Sequence, residues 1–138
     1  MSRMSTLTVA AALAGAATLI AATGPLALSQ VQPGLWEISG APGTSVPVRQ
    51  CIADLATLAR FEHRASNCTA KVSKTAATLE AIDYTCGGGE FGHSEIDVIT
   101  PRSLRISTQG ISGGLPFNYV LQARRLDDCT KGPQTTRH

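Results

Sequence analysis

The sequence predicts a mainly β fold: an antiparallel meander of six or seven short strands, curved toward a half-barrel or small barrel, with one short helix inserted after the second strand. Three observations carry this expectation. Apolar and polar residues alternate in short runs between Gly34 and Ala123, the mark of strands with one buried face. Turn signals such as Ala41-Pro42-Gly43, Gly87-Gly88-Gly89 and Pro101-Arg102 punctuate those runs. Only Leu55, Leu58 and Ala59 recur at helical spacing. An open sheet leaves unpaired edges, and curving toward closure is the usual remedy.

The elements follow in chain order. Gly34 to Ile38 alternates after Pro33 and reads as a first strand, with Trp36 and Ile38 on one face. Val46 to Cys51 reads as a second, with Val46 and Val48 together. Asp54 can cap a short helix that carries Leu55, Leu58, Ala59 and Phe61 inward and stops near His63 or Arg64. Thr69 to Lys74 is a lightly buried strand with Val72 inward. Leu79 to Cys86 places Ile82 and Tyr84 on one face, and Gly92 to Thr100 does the same for Ile96 and Val98. Leu104, Ile106 and Thr108 alternate in the next strand, and Gly110 to Gly114 reads as a glycine-rich break. Phe117, Tyr119, Leu121 and Ala123 form the last strand, with Val120 the awkward apolar residue on its other face.

The ends differ from this pattern. Arg3 precedes an apolar run from Leu7 to Ala22, Gly24-Pro25 closes it, and Ala27-Leu28-Ser29 supplies small residues for a cut. That is the layout of a secretory signal peptide, expected over residues 1–29 with cleavage near Ser29. The run of 16 residues is shorter than the ~20 a spanning helix needs. Residues 30–130 then form a single disulfide-bonded domain, periplasmic or secreted, and residues 131–138, with no apolar side chain, a disordered tail.

Beyond residue 29 the chain carries 11 basic and 10 acidic side chains, a balance that gives no field to hold nucleic acid. Its aromatics are only Trp36, Phe61, Tyr84, Phe91, Phe117 and Tyr119, and a modest core in an exported protein is where disulfides are used. Cys51, Cys68, Cys86 and Cys129 make an even set with no C-x-x-C pair, so they read as two disulfides rather than a zinc or thioredoxin-type site. Of the three connectivities, Cys51–Cys68 with Cys86–Cys129 is preferred: one loop encloses the helix, and the other ties a central strand to the chain end.

Candidate chemistry is sparse. Glu90, His93 and Glu95 are the best metal candidates, because His93 and Glu95 are two apart on a strand and share a face; no third ligand is identifiable. Ser94 beside His93 points the other way, which argues against a Ser–His pair. Gly87-Gly88-Gly89 precedes a strand rather than a helix, so it reads as a turn and not a phosphate cradle. His63 beside Glu62 reads as a helix-end pair. Trp36, with Tyr84, Phe117 and Tyr119, is either core or the floor of a ligand site.

Pro33-Gly34-Leu35-Trp36-Glu37-Ile38, Arg49-Gln50-Cys51-Ile52, Asn67-Cys68, Tyr84-Thr85-Cys86-Gly87-Gly88 and Arg124-Arg125-Leu126-Asp127-Asp128-Cys129 together resemble the domain of unknown function 3617 family. That resemblance implies a small exported bacterial β-rich domain and assigns no activity, catalytic residue or cofactor. The expectation is therefore an exported, monomeric, non-catalytic domain that binds a small or lipidic ligand or an envelope protein. The alternatives are an envelope enzyme or metal-binding protein with a site near Glu90 to Glu95, and a structural or inhibitory partner of another secreted protein.

Overall fold

The computed structural model describes residues 27–129. Residues 1–26, most of the expected signal peptide, and residues 130–138, with the expected disordered tail, lie outside the described residues. Seven antiparallel strands form one sheet: β1 Gly34–Ser39, β2 Val48–Ile52, β3 Cys68–Thr75, β4 Leu79–Cys86, β5 Phe91–Thr100, β6 Ser103–Ser112 and β7 Leu115–Asp127. Their order is β2-β1-β7-β6-β5-β4-β3, so the meander from β3 to β7 is extended by β1 and then β2. The sheet is not closed: β2 and β3 are its edges.

Alternation dictates the two faces. Ile96 of β5, Ile106 of β6 and Leu121 of β7 are opposite one another in register, and all three are buried. Val98, Leu104 and Ala123 make the next buried row. The inserted helix, Leu55–His63, packs on this face against β4, β5 and β6. Asp54 starts it, accepting the Ala56 N–H at 3.0 Å on its carboxylate. It is a 3₁₀ helix with a break at Arg60, where the spacing predicts only a short helix. The reason is the strict three-residue repeat of Leu55, Leu58 and Phe61, which stacks on one side of a helix with three residues per turn. Trp36 and Ile38 reach the same core from β1, and Ala27, Leu28 and Val31 join it from the segment ahead of β1.

Several expectations need correction. Cys68 is bonded to Cys86, its direct cross-strand partner on β4, so neither Cys51–Cys68 nor Cys86–Cys129 forms. The bond staples an edge strand to its neighbour; sequence spacing could not reveal that pairing. Val72 is opposite the buried Ile82 yet is 47% exposed, because β3 is an edge strand with a neighbour on one side only. Val46 is exposed and precedes β2, held in a turn by the Thr44 hydroxyl, which accepts its N–H at 3.1 Å. β6 continues through Gly110 to Ser112, and only Gly113-Gly114 turns. Both have positive φ, 58° and 74°, as the two-residue hairpin turn that matches strand twist requires.

Glu80 is on the core face opposite Ile96, wholly buried, with no hydrogen-bond partner for either carboxylate oxygen. Burial raises its pKa above 4.5. A raised carboxyl pKa means the fold binds this proton more tightly than the unfolded chain does. Its stabilising contribution is complete below the unfolded pKa and is lost as pH rises through the folded one. Glu80→Gln should therefore gain stability over the wild type as pH increases from 4 to 7 in urea titrations. A constant difference across that range would place the charge in contact with solvent. Leu58→Ala should cost about 2–5 kcal/mol in the same assay, and Val46→Ala under about 0.5 kcal/mol.

Candidate functional site

Two polar constellations lie on opposite faces of the same part of the sheet. The inner one lies at the end of the core face near the Gly113-Gly114 turn. His63, at the end of the helix, is buried between β4 and the β6–β7 end. Its Nδ1 is 3.1 Å from the Tyr84 hydroxyl, and its Nε2 is 3.3 Å from a Glu90 carboxylate oxygen. That second approach has ion-pair distance without hydrogen-bond alignment. A carboxylate beside Nε2 favours the proton on that nitrogen, which leaves Nδ1 to accept from Tyr84. The other Glu90 oxygen accepts the Gly113 N–H at 2.9 Å, so one side chain joins the end of the helix to the hairpin turn. Ser94 donates to the Ala59 carbonyl and is 2.7 Å from the Thr108 hydroxyl. Burial pushes the Tyr84 phenol up to about 12, against the opposing effect of Thr108. Burial first, then the hydrogen bond to Glu62 at 2.7 Å, also raises Tyr119.

The rings fit because the backbone beneath them is bare. A Cβ on Gly92 would enter the Tyr84 ring, and one on Gly110 would strike the Phe91 carbonyl and crowd Phe117. Gly92 and Gly110 are direct partners on β5 and β6, so the aromatic pair lies on a two-glycine floor.

The outer constellation is a solvent-facing trough. Phe91, Ile111 and Pro116 form one cross-strand row, and His93, Gln109 and Asn118 the next. They line an open cavity of about 620 Å³ together with Asp83, Thr85 and two of the expected ligand-binding residues, Tyr84 and Phe117. A continuation of about 330 Å³ runs past Glu95, Ser107 and Val120. Phe91 is 49% exposed there. His93 Nδ1 is 2.6 Å from Asp83, and this hydrogen bond is the main cause of a lowered Asp83 pKa.

The structure separates the residues that the sequence groups. His93 and Glu95 share the outer face, as their spacing predicts, whereas Glu90 turns to His63. Among the described residues no three His, Cys, Asp or Glu side chains are grouped to hold a metal ion. Ser94 is buried on the inner face, opposite in direction to His93. Trp36 is wholly buried and Tyr84 nearly so, while Phe117 and Tyr119 are half-buried beside His63 and Glu62. Val120 faces outward at 37% exposure, so no covering layer is needed there. His63 is at the helix end, but it is buried and faces Tyr84 and Glu90 rather than Glu62. Only the docking of the helix on the sheet brings Tyr84 and Glu90 to it, and no spacing signal could have found it. Among the described residues no helix is long and apolar enough to cross a membrane. Comparison with family models, curated proteins and solved structures finds no match.

Tyr84→Phe should cost about 1–3 kcal/mol in urea unfolding, because it strands a buried His63 nitrogen. Tyr119→Phe, whose Glu62 partner can turn to water, should cost less than about 1 kcal/mol. Equal costs would mean that the inner chain of hydrogen bonds is no more desolvated than the Tyr119–Glu62 pair.

Proposed function

We propose that this chain is an exported, non-catalytic binding domain related to the domain of unknown function 3617 family, and that it takes a small amphipathic ligand in the outer trough. The observation that carries the reading is a trough of about 620 Å³ holding an exposed Phe91. That volume lies within the range of small-molecule sites, roughly 300–1,000 Å³. Phe91, Ile111 and Pro116 suit an apolar segment, and the amides of Gln109 and Asn118 suit hydroxyl or carbonyl groups beside it. The inner face offers less, because the helix and Trp36 occupy it.

Export is supported by the residue 1–22 pattern and by the Cys68–Cys86 bond, which suits an oxidising compartment. A cut after Ser29 would remove Ala27 and Leu28 from the core. Their burial favours cleavage ahead of Ala27.

An alkyl glucoside below its micelle concentration is a suitable probe. Titrated into ¹⁵N-labelled protein, it should shift the amides of Phe91, His93, Gln109 and Asn118 saturably. Phe91→Ala should weaken binding about tenfold, or ~1.4 kcal/mol, with the spectrum otherwise intact. Saturable shifts confined to other surfaces, or none with this probe and none with ligand co-purified from the envelope, would refute the trough as the site.

The Asp83–His93 pair favours a second reading, an envelope enzyme in which Asp83 orients His93 as a general base toward a substrate in the same trough. That reading requires turnover of an activated ester that His93→Gln abolishes while the fold is retained.

A further inference from the structure

We propose that Cys51 and Cys129 are a second oxidation site, forming a disulfide that ties edge strand β2 to the end of β7 across β1. Leu35 of β1 is opposite Cys51 on one side and opposite Asp127 on the other, so the two cysteine-bearing segments flank one point of β1. Beyond Asp127 the chain turns back: the Asp127 side chain accepts the Asp128 N–H at 2.8 Å, and Arg125 pairs with Asp128. That turn brings the Cys129 thiol into hydrogen-bonding contact with the Cys51 thiol and places the Ile52 N–H against the Cys129 sulfur. Both cysteines are free thiols here, Cys51 exposed and Cys129 half-buried. Cys51 also borders a cleft of about 290 Å³ lined by Asp54, Thr57, Arg60 and Arg64, so an oxidant can reach it.

The co-reactant is a disulfide, either of a protein oxidase or of glutathione. The Cys51 thiolate attacks it, forming a mixed disulfide and releasing one thiol from the co-reactant. Cys129 loses its proton and attacks the Cys51 sulfur, and the second co-reactant thiol leaves. Two protein thiols are thereby oxidised by two electrons, and the co-reactant disulfide is reduced to two thiols. The hydrogen bond to Cys51 holds the Cys129 thiol above its ordinary pKa, so the exposed Cys51 is the sulfur that reacts first. The site is independent of the trough on β5, β6 and β7.

The test is the full chain equilibrated in a glutathione redox buffer, quenched with iodoacetamide and mapped without reduction. A peptide linking Cys51 to Cys129 is expected beside the Cys68–Cys86 one, with neither Cys51 nor Cys129 alkylated. Cys51→Ser should leave Cys129 fully alkylated in the same buffer, which shows that Cys129 has no other partner. Three results would overturn the proposal: Cys51 and Cys129 both alkylated while Cys68–Cys86 is bridged, glutathione retained on Cys51, or a link from Cys51 to Cys68 or Cys86.

Discussion

Burial of the helix Leu55–His63 against the core face of the sheet is the contact on which the rest of this structure depends. An open sheet has one face to remove from water, and this one has few large side chains with which to do so. Leu58 and Phe61 supply that bulk from the helix, joining one core with the Ile96–Ile106–Leu121 row. The Ser94 hydroxyl bonded to the Ala59 carbonyl fixes where the helix docks. Trp36 and the segment Ala27–Val31 fill what the helix leaves.

This arrangement divides the sheet by function. The inner face is committed to packing, and its polar groups from Ser94 to Glu90 mostly satisfy one another. Such chains specify a single arrangement more than they add stability. The outer face over β5, β6 and β7 has no such cover among the described residues, and there Phe91, His93, Gln109 and Asn118 are open to a partner. Gly92 and Gly110 serve the inner face at the same level, by making room for Tyr84 and Phe117. The cysteines sit elsewhere, Cys68 and Cys86 on the β3–β4 side of the sheet and Cys51 on β2 at the other edge, with Cys129 just past β7.

Much of the fold was legible because period-two alternation survives wherever one face is buried. Leu104, Ile106 and Thr108, and then Phe117, Tyr119 and Leu121, reveal their faces directly. Alternation fails at the edges: β3 carries polar residues on both faces, and Val72 gives no sign that nothing lies over it. The Gly110 to Gly114 run reads as a break, although Gly110 is a ladder position kept small first by the Phe91 carbonyl and then by Phe117. The Cys68–Cys86 bond and the His63–Tyr84–Glu90 grouping depend on which strands become neighbours, and a single sequence carries no local mark of that. The outer trough was half visible. His93 and Glu95 follow from strand spacing, but Asp83, Gln109 and Asn118 join them only through register.

Native-state hydrogen exchange tests the central role of the helix most directly. If the helix and the sheet form one packed unit, the amides of Leu58 and Ala59 should exchange with the same opening free energy as those of Ile96 and Ile106, and with the same dependence on denaturant. Exchange of the helix amides by a separate opening of much lower free energy, with β5 and β6 still protected, would contradict the account. It would show that the sheet holds together without the helix on its core face.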